Sequence, residues 1–130
     1  IKVNEKFYRT TFYKKSSRFL SKWFTFTIEH SYPSGRSDLE FIGKYNEKFS
    51  GRRWIIEFKY YSNTEFQKFR CKPDEFQLQK GDIEQISGYA IDLKNEYPEA
   101  DLSLHIIYCF GNTGYKVYDV NPILQEWSGS

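Results

Sequence analysis

The chain has 130 residues and a mass of 15.6 kDa, which is the size of one domain. Its 19 basic and 17 acidic residues leave a net charge of +2, which neither requires nor excludes a nucleic-acid partner. No apolar stretch is long enough to cross a bilayer, and Cys71 and Cys109 cannot form a zinc site alone. Aromatic residues make up 20% of the chain, a composition that favours a sheet-based core over a helical bundle.

We expect residues 1–130 to form a single domain. The sequence opens on Ile1 and not on methionine, which indicates a fragment of a larger protein. Because there is no signal-peptide pattern and no paired-cysteine motif, we expect a reducing, cytoplasmic setting and no membrane association.

Residues 4–20 predict an amphipathic helix with Asn4 as its N-cap. Its expected apolar side consists of Tyr8, Phe12, Phe19 and Leu20. Its expected solvent side includes Lys6, Arg9 and Lys14. The first 22 residues hold seven basic residues against the single acid Glu5, and such a block could attract a phosphate backbone. The alternative, which the composition favours, is the solvated face of the helix.

Three strands are predicted next. Alternating apolar and polar residues predict strands over 22–30 and 37–44, with a turn at 33–35 between them. Residues 45–51 predict a polar hairpin loop. The nearly continuous apolar run at 52–61 predicts a central strand that is covered on both faces.

The second half predicts one long helix. Residues 64–72 predict a short helical or irregular connection, because Pro73 interrupts any helix there. Apolar residues at helical spacing then predict a helix over 74–97, which Pro98 ends.

Two final strands are predicted over 102–110 and 115–120, joined by a tight hairpin at 111–114, and the tail after Asn121 is expected to be loosely ordered. The order α-β-β-β-α-β-β predicts an α/β fold with a mixed central sheet flanked by helices.

Acidic and basic side chains recur on the second and third strands. Glu57 and Lys59 lie two residues apart and so share one face of the third strand. If the strands pair, Asp38 meets Glu57, and both carboxylates could bind Mg²⁺ or Mn²⁺ together with the Phe58 carbonyl. Lys59 would orient a water or stabilise charge at phosphorus. The same acid-x-lysine pattern also occurs by chance as an ion pair on a solvated sheet.

Neighbouring residues favour the metal-site hypothesis. The apolar residues before Glu57 place it at the margin of a core, where ionisable groups are uncommon. Arg36 comes just before Asp38 and could contact a phosphate. Gln85 and Tyr89 lie one helical turn apart on the following helix and could reach the sheet edge.

The order of these motifs resembles that of the PD-(D/E)XK nuclease superfamily. It most closely resembles the nuclease-like domain at the C-terminus of bacterial proteins that carry an AAA-ATPase-like region. The resemblance covers residues 5–120, and its motifs are Glu29, Gly35-Arg36-Ser37-Asp38, Ile55-Ile56-Glu57-Phe58-Lys59, Gln85 and Tyr89. Ser37 stands where the superfamily name has proline, a departure that leaves the acid intact.

The resemblance implies a restriction-endonuclease-like αβββαβ core and Mg²⁺-dependent hydrolysis of DNA, with RNA as a further possible substrate. It implies that Asp38 and Glu57 bind the metal, that Glu29 assists them and that Lys59 is catalytic. Gln85 and Tyr89 would support the site. The residues expected to contact phosphates are Arg36, Lys14, Lys15 and Arg18. The implied partners are an N-terminal ATPase-like domain of the parent protein and a second copy of this chain.

A rival hypothesis keeps the fold without the chemistry. The same superfamily includes domains that only bind DNA or serve a partner, and a net charge of +2 gives no obvious strong grip on a duplex. The chain would then be an inactive module that binds a nucleic acid or an ATPase partner.

Overall fold

The computed structural model describes residues 4–121. The helices are α1 (Glu5–Leu20), α2 (Asn63–Gln67) and α3 (Lys80–Glu96), with a 3-10 turn at Pro73–Glu75. The strands are β1 (Phe24–Ile28), β2 (Ser31–Tyr32), β3 (Gly35–Arg36), β4 (Leu39–Gly43), β5 (Arg52–Tyr61), β6 (Asp101–Phe110) and β7 (Gly114–Asp119). Within the described range, no helix has the length and apolar character that a membrane crossing needs. The predicted loose tail after Asn121 lies outside the described residues.

Five strands form one mixed sheet in the order β1-β4-β5-β6-β7. Only β5 and β6 are parallel among these neighbours, and the other three pairs are antiparallel. A parallel pair needs a long crossover, which the segment from α2 to α3 supplies. The prediction of a mixed sheet flanked by helices, as in a restriction-endonuclease-like αβββαβ core, is confirmed.

Strand β5 lies at the centre of the sheet and is buried on both faces, as its apolar run predicts. On one face, Ile56 and Phe58 pack with residues of β4 and β6 and with α1. On the other face, Ile55 packs against α3. Because side chains alternate along a strand, Glu57 and Lys59 share the α3 face with Ile55.

Helix α1 begins as predicted, with the Asn4 side chain accepting a hydrogen bond from the Phe7 N–H at 3.0 Å. Two predictions about its faces are wrong. The side that packs on the sheet shifts from Tyr8 and Phe12 in the first half to Tyr13 and Leu20 in the second. Phe19 falls outside this contact and is 76% exposed.

Arg9 does not face water, contrary to the prediction. Its side chain is only 15% exposed. Successive helical residues turn by about 100°, which places Arg9 within the arc between Tyr8 and Tyr13 that faces the sheet. Helix α1 therefore brings a guanidinium group to the sheet edge.

The predicted helix over 74–97 starts six residues later, at Lys80. Phe76 adopts an extended conformation and is 1% exposed, with its ring 4.8 Å from Tyr108 and 4.9 Å from Phe110. Burying this ring needs an extended segment, which overrides the weak helical spacing before Ile83.

Strands β2 and β3 form a small separate hairpin that was predicted only as a turn at 33–35. It docks on α3, because the Ser34 hydroxyl donates to Asp92 Oδ2 at 2.6 Å. Gly35 has φ +141°, and a Cβ there would lie 3.0 Å from the Tyr89 hydroxyl. Both the backbone conformation and the close approach to Tyr89 therefore require glycine.

Replacing Gly35 by alanine should destabilise the protein by about 1–3 kcal/mol, because the variant combines a strained φ with a contact to Tyr89. Urea unfolding followed by circular dichroism measures this difference. The control is Gly81→Ala in the first turn of α3, where a Cβ would meet nothing within 4 Å and where no decrease is expected. Equal losses in the two variants would contradict this account of Gly35.

Candidate active site

Asp38 and Glu57 meet where β4 begins beside β5. The register pairs Leu39 with Ile56, so the preceding Asp38 lies opposite Glu57. The Asp38 N–H donates to Glu57 Oε1 at 2.9 Å, and the Phe58 N–H donates to Asp38 Oδ2 at 2.8 Å. Each acid is thus held by a backbone N–H on the other strand.

Glu57 is buried, with an exposure of 3%. Burial raises the pKa of Glu57, and the charge of Asp38 raises it further, while the Asp38 N–H and Lys59 lower it. Two adjacent carboxylates at the edge of a core repel each other. A divalent cation bound between them would relieve this repulsion.

Lys59 lies beside this pair and is held by α3. Its Nζ donates to Gln85 Oε1 at 2.6 Å and lies 3.7 Å from Asp82 Oδ1. Tyr89, one turn after Gln85, is buried, and its pKa is raised by burial and by the charges of Glu57 and Asp38. The structure therefore brings the predicted supporting residues to the predicted acids and lysine.

Ser37 takes the position before the first acid and is buried. Its hydroxyl donates to Glu40 Oε2 at 2.7 Å, and its N–H donates to the His30 carbonyl at 2.9 Å. Proline has no N–H and could not make the second bond. Serine at this position therefore suits the local backbone and holds the residue before Asp38 in place.

Two residues of α1 reach the site although the sequence did not predict them there. Arg9 Nη1 lies 3.1 Å from Glu29 Oε1 and 3.8 Å from Asp38 Oδ1. The pKa of Glu5 is raised by burial and by the charge of Asp38, with smaller opposing effects from Lys59 and Arg9. The only available signal was that Glu5 is the single acid of a basic segment.

Glu29 and Arg36 lie at the outer side of the site. Both Glu29 oxygens face arginines, since Arg9 lies 3.1 Å from Oε1 and Arg36 Nη1 lies 3.6 Å from Oε2. The Arg36 side chain is 67% exposed, so it is accessible to a bound phosphate. The metal-binding role of Glu29 stays a prediction.

The basic residues later in α1 are exposed and lie apart from the carboxylates. At 1.5 Å per residue, Arg18 is roughly 14 Å further along the helix than Arg9. Lys15 borders a groove of about 440 Å³ between α1 and β6–β7. The structure does not bring Lys14, Lys15 or Arg18 to the carboxylates, and phosphate binding by them stays a prediction.

The donor set at this site suits a hydrated Mg²⁺ or Mn²⁺ ion. Between residues 4 and 121, no three His, Cys, Asp or Glu side chains are grouped closely enough to hold a metal by themselves. Mg²⁺ commonly uses one or two carboxylates and keeps several waters. The Phe58 N–H faces Asp38, and the N–H and carbonyl of an extended residue point to the same side, so the Phe58 carbonyl suits a further ligand.

Comparison with known protein families shows which family this chain belongs to. A model of the PD-(D/E)XK nuclease superfamily matches residues 3–118. The chain belongs to this superfamily. Its members typically use divalent metal ions. No curated protein and no solved structure is significantly similar to the chain. The predicted superfamily is confirmed, whereas the closer resemblance to domains of ATPase-like proteins stays a prediction.

Glu57→Gln should raise the melting temperature of the metal-free protein at pH 8. Because the pKa of Glu57 is raised above 4.5, the native state holds a proton that the unfolded state has lost. The wild type therefore loses stability as pH rises from 4.5 towards the raised pKa, and glutamine avoids this loss. We expect a gain of several degrees at pH 8 with a chelator present, and almost none at pH 4, by scanning calorimetry.

The control for this measurement is Glu84→Gln, which removes an exposed acid of α3 that pairs with Lys80 at 3.9 Å. It should leave the melting temperature nearly unchanged at both pH values. A Glu57→Gln gain that is the same at pH 4 and pH 8 would contradict the electrostatic explanation.

Proposed function

We propose that this chain is a metal-dependent nuclease domain that hydrolyses DNA phosphodiester bonds with Mg²⁺ or Mn²⁺. The observation that carries the proposal is the interlocked pair of Asp38 and Glu57 with Lys59 beside it, in a chain of the PD-(D/E)XK nuclease superfamily. These are the residues that the superfamily motif requires.

In this proposal Asp38, Glu57 and the Phe58 carbonyl hold the ion, which would lower the pKa of a bound water and offset negative charge on the phosphate. A water molecule attacks phosphorus while the bond to the leaving oxygen breaks. The attacking water releases a proton to solvent, and the leaving oxygen takes one up from solvent. The Lys59 ammonium, held by Gln85, donates hydrogen bonds to the oxygens that gain charge. Exposed Arg36 contacts the phosphate backbone.

The other partners also belong to the proposal. Exposed Lys14, Lys15 and Arg18 would contact more distant phosphates, and RNA is a second possible polymer with the same backbone chemistry. We also propose that the parent protein carries an ATPase-like N-terminal domain and that it is cytoplasmic. Two copies of the chain would form a homodimer that cuts two strands.

One observation favours an inactive module as the second candidate function. The acids already have cationic neighbours in the metal-free protein, since Arg9 lies 3.8 Å from Asp38. Lys59 forms an ion pair with Asp82 on α3 and donates a hydrogen bond to Gln85 on the same helix. Such ion pairs could maintain the fold without any metal. This module would bind a nucleic acid or an ATPase partner through the same surface.

Cleavage of supercoiled plasmid and of single-stranded RNA, with Mg²⁺ or Mn²⁺, tests the proposal. Asp38→Asn and Lys59→Met should each lower the cleavage rate about 100-fold or more, because they remove metal binding and charge stabilisation. Lys80→Met is the matched control, since this lysine is 82% exposed and, among residues 4–121, forms an ion pair with Glu84 alone. No cleavage of any substrate by the wild type, or equal rates in all variants, would sink the nuclease assignment.

Calorimetry with Mn²⁺ separates the two candidate functions without an activity assay. The wild type and Lys59→Met should bind the ion, whereas Asp38→Asn should lose most of the heat of binding because one of two carboxylates has become neutral. If the chain is an inactive module, none of the three proteins should give a heat of Mn²⁺ binding to a specific site. Equal Mn²⁺ binding by the wild type and Asp38→Asn would show that the metal does not bind at Asp38 and Glu57.

A further inference from the structure

Asp82 links Lys59 to the core of the protein. It lies in the first turn of α3, and its Oδ1 is 3.7 Å from Lys59 Nζ. Its Oδ2 accepts a hydrogen bond from the Tyr108 hydroxyl at 2.6 Å. The carboxylate is therefore held at one oxygen and faces the ammonium with the other.

Tyr108 is a rigid support for this carboxylate. It is 0% exposed on the central strand pair, and its hydroxyl also accepts the Gln79 N–H at 3.1 Å. Tyr108 of β6 is the register partner of Lys59 of β5. The hydroxyl and the ammonium thus rise from adjacent positions of the sheet, and Asp82 joins them from the helix above.

Lys59 needs such support because its four-carbon stem is flexible and loses rotamer entropy when its ammonium is fixed. Gln85 Oε1 and Asp82 Oδ1 approach the ammonium from positions three residues apart on one helix face. An ammonium has three N–H donors. Gln85 accepts one of them, while Asp82 pairs with the ammonium by charge at 3.7 Å, so two N–H groups are left for substrate oxygens.

The Asp82 carboxylate is not used to cap its own helix. The N-cap residue of α3 is Gln79, and its side chain makes no capping hydrogen bond. The Gln79 N–H donates to the Tyr108 hydroxyl. In the described part of the chain, the Asp82 side chain accepts its hydrogen bond from Tyr108 and forms its ion pair with Lys59. Its side chain is 19% exposed, so its charge acts mainly on neighbouring groups.

We propose that Asp82, fixed by Tyr108, is a positioning residue that holds the Lys59 ammonium at the Asp38–Glu57 pair. This inference rests on the proposed nuclease function. Asp82 lies outside the motifs by which the chain resembles the superfamily.

The kinetic test compares Asp82→Asn and Tyr108→Phe with the wild type on a linear duplex with saturating Mg²⁺. Asp82→Asn should lower kcat about 10-fold and leave KM within twofold, because Asp82 acts on a group that supports the transition state. Tyr108→Phe should lower kcat about threefold. Glu84→Gln, an exposed acid two residues along the same helix, should change neither constant.

A double variant distinguishes positioning from a structural role. If Asp82 acts through Lys59, then Asp82→Asn adds no further loss of kcat in a Lys59→Met background. A merely structural role would lower kcat by the same factor in both backgrounds. That additive result, or an unchanged kcat for Asp82→Asn in an active enzyme, would overturn the inference.

A second measurement needs no activity. Metal-free protein is treated briefly with acetic anhydride, and the acetylation rate of each lysine is read by mass spectrometry. Asp82→Asn should raise the rate at Lys59 severalfold and leave exposed Lys80 unchanged, because the ammonium is released from its ion pair. An unchanged rate at Lys59 would refute the positioning role. If the wild type cleaves nothing, the proposed function fails, and the acetylation result alone decides whether Asp82 holds Lys59.

Discussion

The crossed hydrogen bonds between β4 and β5 are the interaction on which the site depends. Asp38 accepts from the backbone of β5, while its own N–H donates to Glu57. These bonds require the observed antiparallel register. A slip by one residue would turn Glu57 and Lys59 to the α1 face and place Ile56 and Phe58 under α3. Burial of Ile56 and Phe58 against α1 therefore also fixes the chemistry on the opposite face.

Helix α1 has two roles that conflict. Its aromatic residues cover one face of the sheet, with the Phe12 ring 5.6 Å from that of Phe58. Its first turns also bring Glu5 and Arg9 towards Asp38, and a helix that only covered a core would carry apolar residues there. The weak amphipathic pattern of this helix follows from the site that it helps to build.

The strands and the acid-x-lysine motif could be predicted because period-two alternation fixes which side chains share a face. The helix residues that reach the site could not be predicted in this way. Whether Arg9 or Asp82 faces the sheet depends on how each helix crosses the strands, and local spacing does not contain that angle. The start of α3 was misplaced for a related reason, since the burial of Phe76 is decided by Tyr108 and Phe110 on a distant strand.

The charged side chains around Asp38, Glu57 and Lys59 interact with one another as a group. The carboxylates joined by the contacts around the site belong to Glu5, Glu29, Asp38, Glu57 and Asp82. The cationic side chains among them belong to Arg9, Arg36 and Lys59. When all are ionised, these five carboxylates outnumber the three cationic groups, and a divalent cation would offset the excess negative charge. Without such an ion, the raised pKa values of Glu5 and Glu57 allow protons to offset part of this excess. A polyanionic substrate would be repelled by the ionised, metal-free site, so in the proposed nuclease the metal would favour substrate binding as well as hydrolysis.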